Sequence, residues 1–238
     1  MTCLISTVQG RRCYMMADRA ITDEAGKLIG TMCKIIRGTA FPWAITLAGM
    51  DIFPAYRLVI SVIEQRQPSE PRALAKAVIE AFQHMQDRHI DRPVQAHLGI
   101  WDRKTGSPFL ATINTQTDGA ADEPFRMHPR IAAVATASLS LGRWTLDDLV
   151  EPNRFDPLRD GAELIRTQRR ILMENWETPA HRIGGGVEVA VVGRRGVRIE
   201  TLWAWPDKLH ERIDPANEGF PFDLKDPRCA TLCQAATA

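Results

Sequence analysis

The order of strand and helix patterns constrains the fold of this chain more than any other feature. Short apolar, β-branched runs come in pairs, and amphipathic helical patterns come in pairs between them. Turn residues at 9–11, 102–106 and 193–196 separate paired runs, which predicts three hairpins. A doubly wound fold alternates single strands with single helices, so this pattern disfavours it. The sequence predicts an α+β fold, a four-layer α/β/β/α sandwich of two antiparallel sheets covered by helix pairs.

The predicted helix pairs cover residues 50–65 with 70–89, and 141–149 with 160–176. Residues 21–29 turn at Gly26, and further strands are predicted at 33–37, 43–47 and 131–136. Beyond Trp205 the chain becomes polar and rich in proline. We therefore expect one domain over 1–205 and an extension over 206–238 that packs on this body or on a neighbouring subunit.

Charge and hydropathy exclude several classes of protein. The 238 residues include 30 Lys and Arg against 29 Asp and Glu, so nothing indicates a nucleic-acid partner. The short basic clusters at 166–170 and 193–196 are interpreted as a solvated helix face and a hairpin turn. No apolar run approaches the ~20 residues of a membrane span. The first basic residues follow the N-terminal apolar run, unlike in a signal peptide, so we expect a cytoplasmic protein without a membrane partner.

Cysteine and histidine patterns give no metal or cofactor site. The five cysteines, at 3, 13, 33, 229 and 233, form no disulfide framework. Cys229 and Cys233 are four residues apart, but no second pair of ligands lies near them in sequence to complete a zinc site. The chain has no P-loop, GxSxG or HExxH motif. No metal and no organic cofactor are expected.

The N-terminus offers a nucleophile. Removal of Met1 would make Thr2 the first residue, and its α-amine, with a pKa of about 8, would act as the base for its hydroxyl. A nearby Lys would favour the ionised hydroxyl, and an Asp would hold that Lys. Asp18 follows Thr2 by 16 residues and Lys34 follows Asp18 by the same interval. Judged singly, Thr2 is an ordinary strand residue, Asp18 a turn residue and Lys34 an edge-strand charge.

The sequence at these positions resembles the β-subunits of the proteasome and their bacterial homologues, which are N-terminal nucleophile (Ntn) hydrolases. The resemblance rests on four segments and, more loosely, on a late Gly-Gly strand, and it covers about residues 1–203. These segments are Thr2-Cys3-Leu4-Ile5, Met16-Ala17-Asp18-Arg19, Met32-Cys33-Lys34-Ile35, Leu47-Ala48-Gly49-Met50-Asp51 and the strand at 185–191.

This resemblance implies roles for individual residues. Thr2 would be the nucleophile, Lys34 would tune its pKa and Asp18 would orient Lys34. The Gly49 backbone N–H would stabilise the oxyanion of the tetrahedral intermediate. The family usually works as closed rings of subunits.

The chain departs from the family pattern at two places. The family has a Ser in a Gly-Ser-Gly turn, where this chain has residues 135–140; we place Ser138 among the site residues and keep Thr136 as the alternative. Many members also carry an Asp and a Ser just before the late Gly-Gly strand, and both are missing here. Glu177 and His181 are the nearest substitutes.

Three functions remain open at this level. The first is a threonine-type endopeptidase that hydrolyses peptides or unfolded proteins through an acyl-enzyme on Thr2. This enzyme would form a homo-oligomer, either a closed ring or an open ring or helix, and would have an ATP-dependent unfoldase as a further partner. The second is an Ntn amidase of a small non-peptide amide. The third is an inactive assembly protein. Cys3 is a rival nucleophile if two residues are removed, but it is one residue out of register with Asp18 and Lys34.

Overall fold

The computed structural model describes residues 3–49, 52–87, 93–116, 122–136, 140–174 and 178–223. The elements in chain order are β1 (Leu4–Gln9), β2 (Arg12–Asp18), β3 (Ala20–Thr22), β4 (Leu28–Thr31), β5 (Ile35–Arg37), β6 (Trp43–Gly49), α1 (Ile52–Arg66), α2 (Pro71–Asp87), β7 (Val94–Asp102), β8 (Ser107–Asn114), β9 (His128–Arg130), β10 (Ala132–Ala135), a 3₁₀ turn (Asp148–Val150), α3 (Gly161–Arg169), β11 (Val187–Gly193), β12 (Gly196–Ala204) and β13 (Phe220–Pro221).

Two antiparallel sheets organise these strands. The first has the order β10-β1-β2-β11-β12-β13, and the second has the order β5-β6-β7-β8-β9. Strands β3 and β4 form a separate small ribbon. The predicted hairpins are confirmed as β1–β2, β7–β8 and β11–β12. Strand β2 therefore lies at the centre of the six-stranded sheet, between β1 and β11.

The two sheets pack against each other through small and sulfur-containing residues. Cys13 and Met15 of β2 belong to a buried cluster that also contains Trp101 and Leu110 of the other sheet. A Cβ atom added to Gly99 would lie 2.7 Å from the Met15 sulfur, so glycine permits this close approach. The sheet interface therefore depends on tight packing at β2 and β7.

Helices cover the outer faces of both sheets. Helices α1 and α2 pack with Leu47 and Leu98 of the five-stranded sheet in one large apolar cluster. On the other sheet, α3 contributes Leu164 and Ile165 to a cluster that contains Met16. The chain is therefore an α+β fold of antiparallel sheets, as predicted. No helix in the described parts of the chain is long and apolar enough to cross a membrane.

The second predicted helix pair is confirmed only in part: α3 is present but shorter than predicted, and the helix predicted at 141–149 is wrong. Residues 141–149 form turns and end in the 3₁₀ turn, because Gly142 has a φ of +69° and Thr145 and Asp148 exchange side-chain and backbone hydrogen bonds that compete with a helix. Helix α3 ends at Arg169 rather than at 176, and Met173 instead forms a bridge with Ala180. One helix and one 3₁₀ turn therefore pack on the six-stranded sheet, instead of a pair of helices.

The segment after Trp205 lies against the body as far as residue 223. Asp207 makes a buried ion pair with Arg169, Ile213 is buried beside Leu28, and Phe220 pairs with Ala204. The division into a domain at 1–205 and an extension stays a prediction. Residues 224–238 lie outside the described residues.

Candidate active site

The centre of the candidate site is a buried ion pair that joins the two sheets. Asp18 ends β2 of the six-stranded sheet, and Lys34 directly precedes β5 of the other. The Lys34 Nζ lies 2.9 Å from Asp18 Oδ2, and the two side chains are 3% and 0% exposed. Removing either charge would leave the other buried without its partner, which is costly inside a protein. The pair therefore fixes the spacing of the two sheets at this end.

Asp18 also holds the start of the described chain. The Cys3 N–H donates to Asp18 Oδ1 at 2.8 Å, and the Asp18 N–H donates to the Cys3 carbonyl oxygen at 3.3 Å. The Ala20 N–H donates to Asp18 Oδ2 at 3.1 Å. One carboxylate thus accepts from two backbone amides and an ammonium, which satisfies both oxygens. This arrangement places the backbone of Cys3 beside the ion pair.

Tyr56 of α1 supports Lys34 from the other side. Its hydroxyl donates to the Lys34 carbonyl oxygen and accepts from the Leu47 N–H at 3.1 Å. Burial raises the pKa of Tyr56 far above its usual value, so the hydroxyl remains a donor at neutral pH. The backbone of Lys34 is therefore tied to β6 and to α1 at once.

Gly49 occupies a position that other residues fit poorly. It is the last residue of β6, pairs with Val94, and has a φ of +148°. An added Cβ would lie 2.3 Å from the Pro93 carbonyl oxygen. Tyr56 connects Leu47 of β6 to Lys34, and Gly49 follows Leu47 by two residues on the same strand. The backbone of Gly49 therefore lies at the same end of the sheet as Lys34.

A second buried carboxylate lies next to this pair. Glu188 of β11 is opposite Ala17, one residue from Asp18, and its Oε1 lies 3.3 Å from the Arg19 Nε. Its Oε2 is buried and makes no hydrogen bond to any residue that the structure describes. Burial raises the pKa of Glu188, while Arg19 and Lys34 act in the opposite direction. Glu188 therefore adds an acidic group on the β11 side of the Asp18–Lys34 pair.

Glu188 also influences the thiol of Cys33, a residue that is exposed overall although its sulfur is partly buried. Burial of the sulfur and the negative charge of Glu188 raise the pKa of Cys33 to about 11. The thiol donates to the Ile35 carbonyl oxygen at 3.4 Å. Cys33 is therefore a protonated thiol at neutral pH rather than a reactive thiolate.

The Gly-rich segment before β11 supports the far side of Asp18. The carbonyl oxygens of Gly184 and Gly186 accept the Arg19 N–H at 3.1 Å each, and the Gly184 oxygen also accepts the Ala20 N–H at 2.9 Å. The Gly185 N–H in turn donates to Asp207 Oδ2 at 2.9 Å. The segment after Trp205 is thus connected to the residues that follow Asp18.

The predicted site residues fall into three groups. Asp18 and Lys34 are in contact, and Gly49 lies at the same end of the neighbouring strand. Thr2, Ser138 and Glu177 lie outside the described residues. Thr136 follows Ala135, which is opposite Leu4 of β1, so it lies at the Cys3 end of that sheet.

Two alternative residues, His181 as a support for the Thr2 amine and Cys3 as the nucleophile, do not suit these roles in this structure. The His181 Nδ1 lies 3.2 Å from the carbonyl oxygens of Arg169 and Ile171, so this nitrogen is already engaged at the end of α3. Burial and the charge of Asp18 raise the pKa of the Cys3 thiol well above its usual value, which opposes a nucleophilic role in this structure.

Sequence reasoning did not identify Tyr56 or Glu188. By sequence, Tyr56 is one of the residues at helical spacing on the apolar face of α1, and Glu188 is a single charge in an otherwise apolar strand. Together, Asp18, Glu188 and Lys34 place two carboxylates and an amine at one end of the paired sheets, where they can form hydrogen bonds and exchange protons. Among the described residues, no group of three or more His, Cys, Asp or Glu side chains is arranged to hold a metal ion.

The fold belongs to the proteasome-like class. Among solved structures, the chain is similar to the Gly-1 mutant of Anbu from Hyphomicrobium sp. strain MC1, a bacterial proteasome-like protein, with a TM-score of 0.59 and 14% sequence identity. The match covers 100% of this chain and 93% of the Anbu chain. At this identity the similarity shows the fold alone. No family model and no curated protein matches the chain.

Proposed function

We propose that this protein is a threonine-type peptidase with a proteasome-like fold, in which Thr2 acts as the nucleophile after removal of Met1. The observation that carries the proposal is the Lys34–Asp18 pair, whose carboxylate also binds the Cys3 N–H. Thr2 is joined to Cys3 by one peptide bond, and adjacent Cα atoms are about 3.8 Å apart. One peptide bond therefore separates the proposed nucleophile from the amide that Asp18 binds.

Each of the four residues has a defined task in the proposed reaction. The α-amine of Thr2 takes the hydroxyl proton as the oxygen attacks the substrate carbonyl, and the Lys34 ammonium stabilises the negative charge that develops nearby. The Gly49 N–H donates to the oxyanion. The amine leaving group takes the proton, which leaves an ester on Thr2, and water then hydrolyses this ester. Asp18 positions Lys34 and does not touch the substrate.

The proposal extends to architecture and assembly. We assign the helices and two sheets to the four-layer α/β/β/α sandwich of Ntn hydrolases, with the domain at 1–205 and the extension at 206–238. In this reading the protein forms a homo-oligomer in the cytoplasm, a ring or an open ring or helix, acts on peptides or unfolded proteins, and has an ATP-dependent unfoldase as a partner. A small non-peptide amide is the alternative substrate for the same residues.

One observation favours a second function, an inactive assembly protein that keeps this fold. The family's Asp and Ser before the late Gly-Gly strand are missing, and the Nδ1 of His181, one of the two nearest substitutes, already contacts backbone carbonyls. In that case the Thr2 amine would lack support, and the ion pair at Lys34 would serve only to join the sheets.

Intact-mass spectrometry with a peptide epoxyketone separates these functions, because this reagent requires both the hydroxyl and the free amine of an N-terminal Thr. We expect the purified protein to lack Met1 and to gain the mass of one inhibitor per subunit. Thr2→Ala should gain none, and Lys34→Met should react much more slowly. Retained Met1, or equal labelling of Thr2→Ala, would refute the peptidase; an unlabelled oligomer would support the assembly protein.

A peptide library distinguishes the two enzymatic possibilities. Cleavage products that depend on Thr2 support a peptidase. Labelling by the epoxyketone without any peptide cleavage supports a small amide as the substrate.

A further inference from the structure

The end of the six-stranded sheet opposite the candidate active site carries a groove lined by arginines. The β1–β2 turn supplies Arg11, β2 begins with Arg12, and the β11–β12 hairpin supplies Arg194 and Arg195. Arg198 of β12 completes the set. The groove has a volume of about 490 Å³ and is lined by no acidic residue. It is open to solvent, and all five arginines are exposed.

The charge of this groove is not neutralised within the described parts of the protein. Arg198 pairs with Glu200 at 2.8 Å, but Arg11, Arg12, Arg194 and Arg195 have no carboxylate partner among the described residues. The whole chain carries a net charge of only +1, so four uncompensated charges at one end are a local concentration rather than a general excess. A concave patch of one sign raises the local concentration of ligands of the opposite sign.

Neighbouring groups position the two turns and two of the arginines. Cys13 is opposite Val192, so the two turns lie side by side at one end of neighbouring strands. The stem of Arg12 lies over Gly193, where an added Cβ would be 3.9 Å from Arg12 Cγ. The Arg11 guanidinium lies 5.9 Å from the ring centre of Trp101, which is buried. Arg11 and Arg12 thus have contacts that position them before any ligand binds, which lowers the entropy cost of binding.

We propose that this arginine groove binds a phosphate chain, as presented by a nucleoside triphosphate or by inorganic polyphosphate. Guanidinium groups bind phosphate oxygens in pairs, and a phosphate chain brings several charges into a short length, whereas each carboxylate of a peptide brings one. Trp101 is buried, so it offers no face for stacking a base, and the phosphates are the recognised part. The site is separate from the candidate active site, because β2 extends about 20 Å from Arg12 to Asp18.

Isothermal titration calorimetry with sodium tripolyphosphate in phosphate-free, low-salt buffer tests the proposal. We expect one site per chain with a Kd of about 100 µM or below, and orthophosphate at least about 10-fold weaker. The affinity should fall as the salt concentration rises. If ATP binds with an affinity similar to that of tripolyphosphate, the groove recognises the phosphate chain alone. If ATP binds at least about 10-fold more tightly than tripolyphosphate, the phosphate chain is that of a nucleotide.

Paired variants show whether the groove is responsible. Arg194→Gln with Arg195→Gln should weaken tripolyphosphate binding at least about 10-fold, because each lost contact is a charge-assisted hydrogen bond. The control, Arg57→Gln with Arg72→Gln, removes the same charge from exposed positions on α1 and α2 and should change the Kd less than about 2-fold. Unchanged thermal melting of both variants shows that the fold is intact.

Three results would overturn the proposal. The first is no detectable heat or binding of tripolyphosphate at millimolar concentration. The second is equal loss of affinity in the control pair. The third is tighter binding of poly-glutamate or of a short DNA duplex than of tripolyphosphate at the same salt concentration, which would assign the groove to another polyanion.

Discussion

Neutralising Asp18 tests whether its ion pair with Lys34 holds the two sheets together at the candidate site. In Asp18→Asn the carboxylate that accepts from Lys34, Cys3 and Ala20 becomes an amide with a single acceptor oxygen. The Lys34 ammonium, almost completely buried, then lacks a counter-charge. Breaking a buried ion pair in this way costs about 3–5 kcal/mol. We expect the free energy of unfolding to fall by that amount.

A double-mutant cycle isolates the interaction from the other bonds of Asp18. Urea unfolding followed by tryptophan fluorescence would be measured for Asp18→Asn, Lys34→Met and the double variant. Removing both partners leaves no unpaired buried charge, so the double variant should be more stable than the two single losses predict, with a coupling of about 2 kcal/mol or more. The same cycle on the exposed pair of Arg66 and Glu80 should give a much smaller coupling.

The reasoning is refuted if the two single losses simply add. A coupling below about 0.5 kcal/mol would mean that Lys34 is solvated or paired otherwise in solution. The same variants also bear on the proposed activity, because the double variant restores stability without restoring the ammonium. A stable double variant that still reacts with the epoxyketone at the wild-type rate would remove Lys34 from the proposed mechanism.

Three further predictions follow from single positions. Gly49→Ala should lower the free energy of unfolding by about 2 kcal/mol or more, because its φ of +148° and the nearby carbonyl oxygen both oppose a Cβ. Burial lowers the pKa of His97 to about 3, so between pH 7 and pH 5 the unfolded chain gains a proton at this residue and the folded chain does not. The free energy of unfolding, measured with urea, should therefore be about 2 kcal/mol lower at pH 5 than at pH 7, after the same difference in His97→Gln is subtracted. Asp207→Ala should lower stability by about 3 kcal/mol and speed hydrogen exchange of the Gly185 amide that donates to it.

Matched variants decide each of these predictions. Gly106→Ala also places a residue at positive φ but has open space around it, so it should cost much less than Gly49→Ala, and equal costs would contradict the steric explanation. A pH dependence that is the same in His97→Gln and the wild type would mean that His97 takes up its proton in the folded protein at the same pH as in the unfolded chain. Glu211→Ala lies in the same segment as Asp207 but on the surface, and a similar effect there would show that the segment itself, not the buried pair, is sensitive.

Local features of the sequence were sufficient for much of the fold. The hairpin at Gly193 and Gly196 was predictable because its turn residues and its alternating strands are encoded within about 17 residues. The first helix pair was predictable because its apolar residues recur at helical spacing over two long segments. In both cases neighbouring residues determine the structure, and packing only reinforces it.

The region after residue 140 shows where local patterns mislead. Apolar residues at Leu141, Trp144 and Leu149 suggested a helix, but these side chains enter the core from turns. The Thr145 and Asp148 side chains satisfy backbone and side-chain groups within the turn, so no helix is required to do so. Only the shape of the core selects between these two ways of burying the same residues.

The site was partly predictable for a similar reason. Asp18 and Lys34 were singled out from their equal spacing after Thr2 and from the resemblance, and the structure places their side chains in contact. Glu188 was not recognisable as part of the site, because a glutamate is usually exposed to solvent and is rarely buried without a partner. Its burial depends on Cys33 and Arg19, which lie more than 150 residues earlier in the chain and reach it only when the sheets are packed.

The connection from Asp207 to Asp18 makes the segment after Trp205 relevant to the site. Asp207 holds the Gly185 N–H, the adjacent Gly184 carbonyl accepts from Arg19 and Ala20, and Ala20 also donates to Asp18. Each link is a backbone or buried carboxylate bond with little freedom to adjust. We therefore expect a change at Asp207 to alter the position of the strand end that carries Asp18, although the two residues are far apart in sequence. The segment is consequently part of the support of the candidate site, even though the resemblance to proteasome β-subunits ends before it.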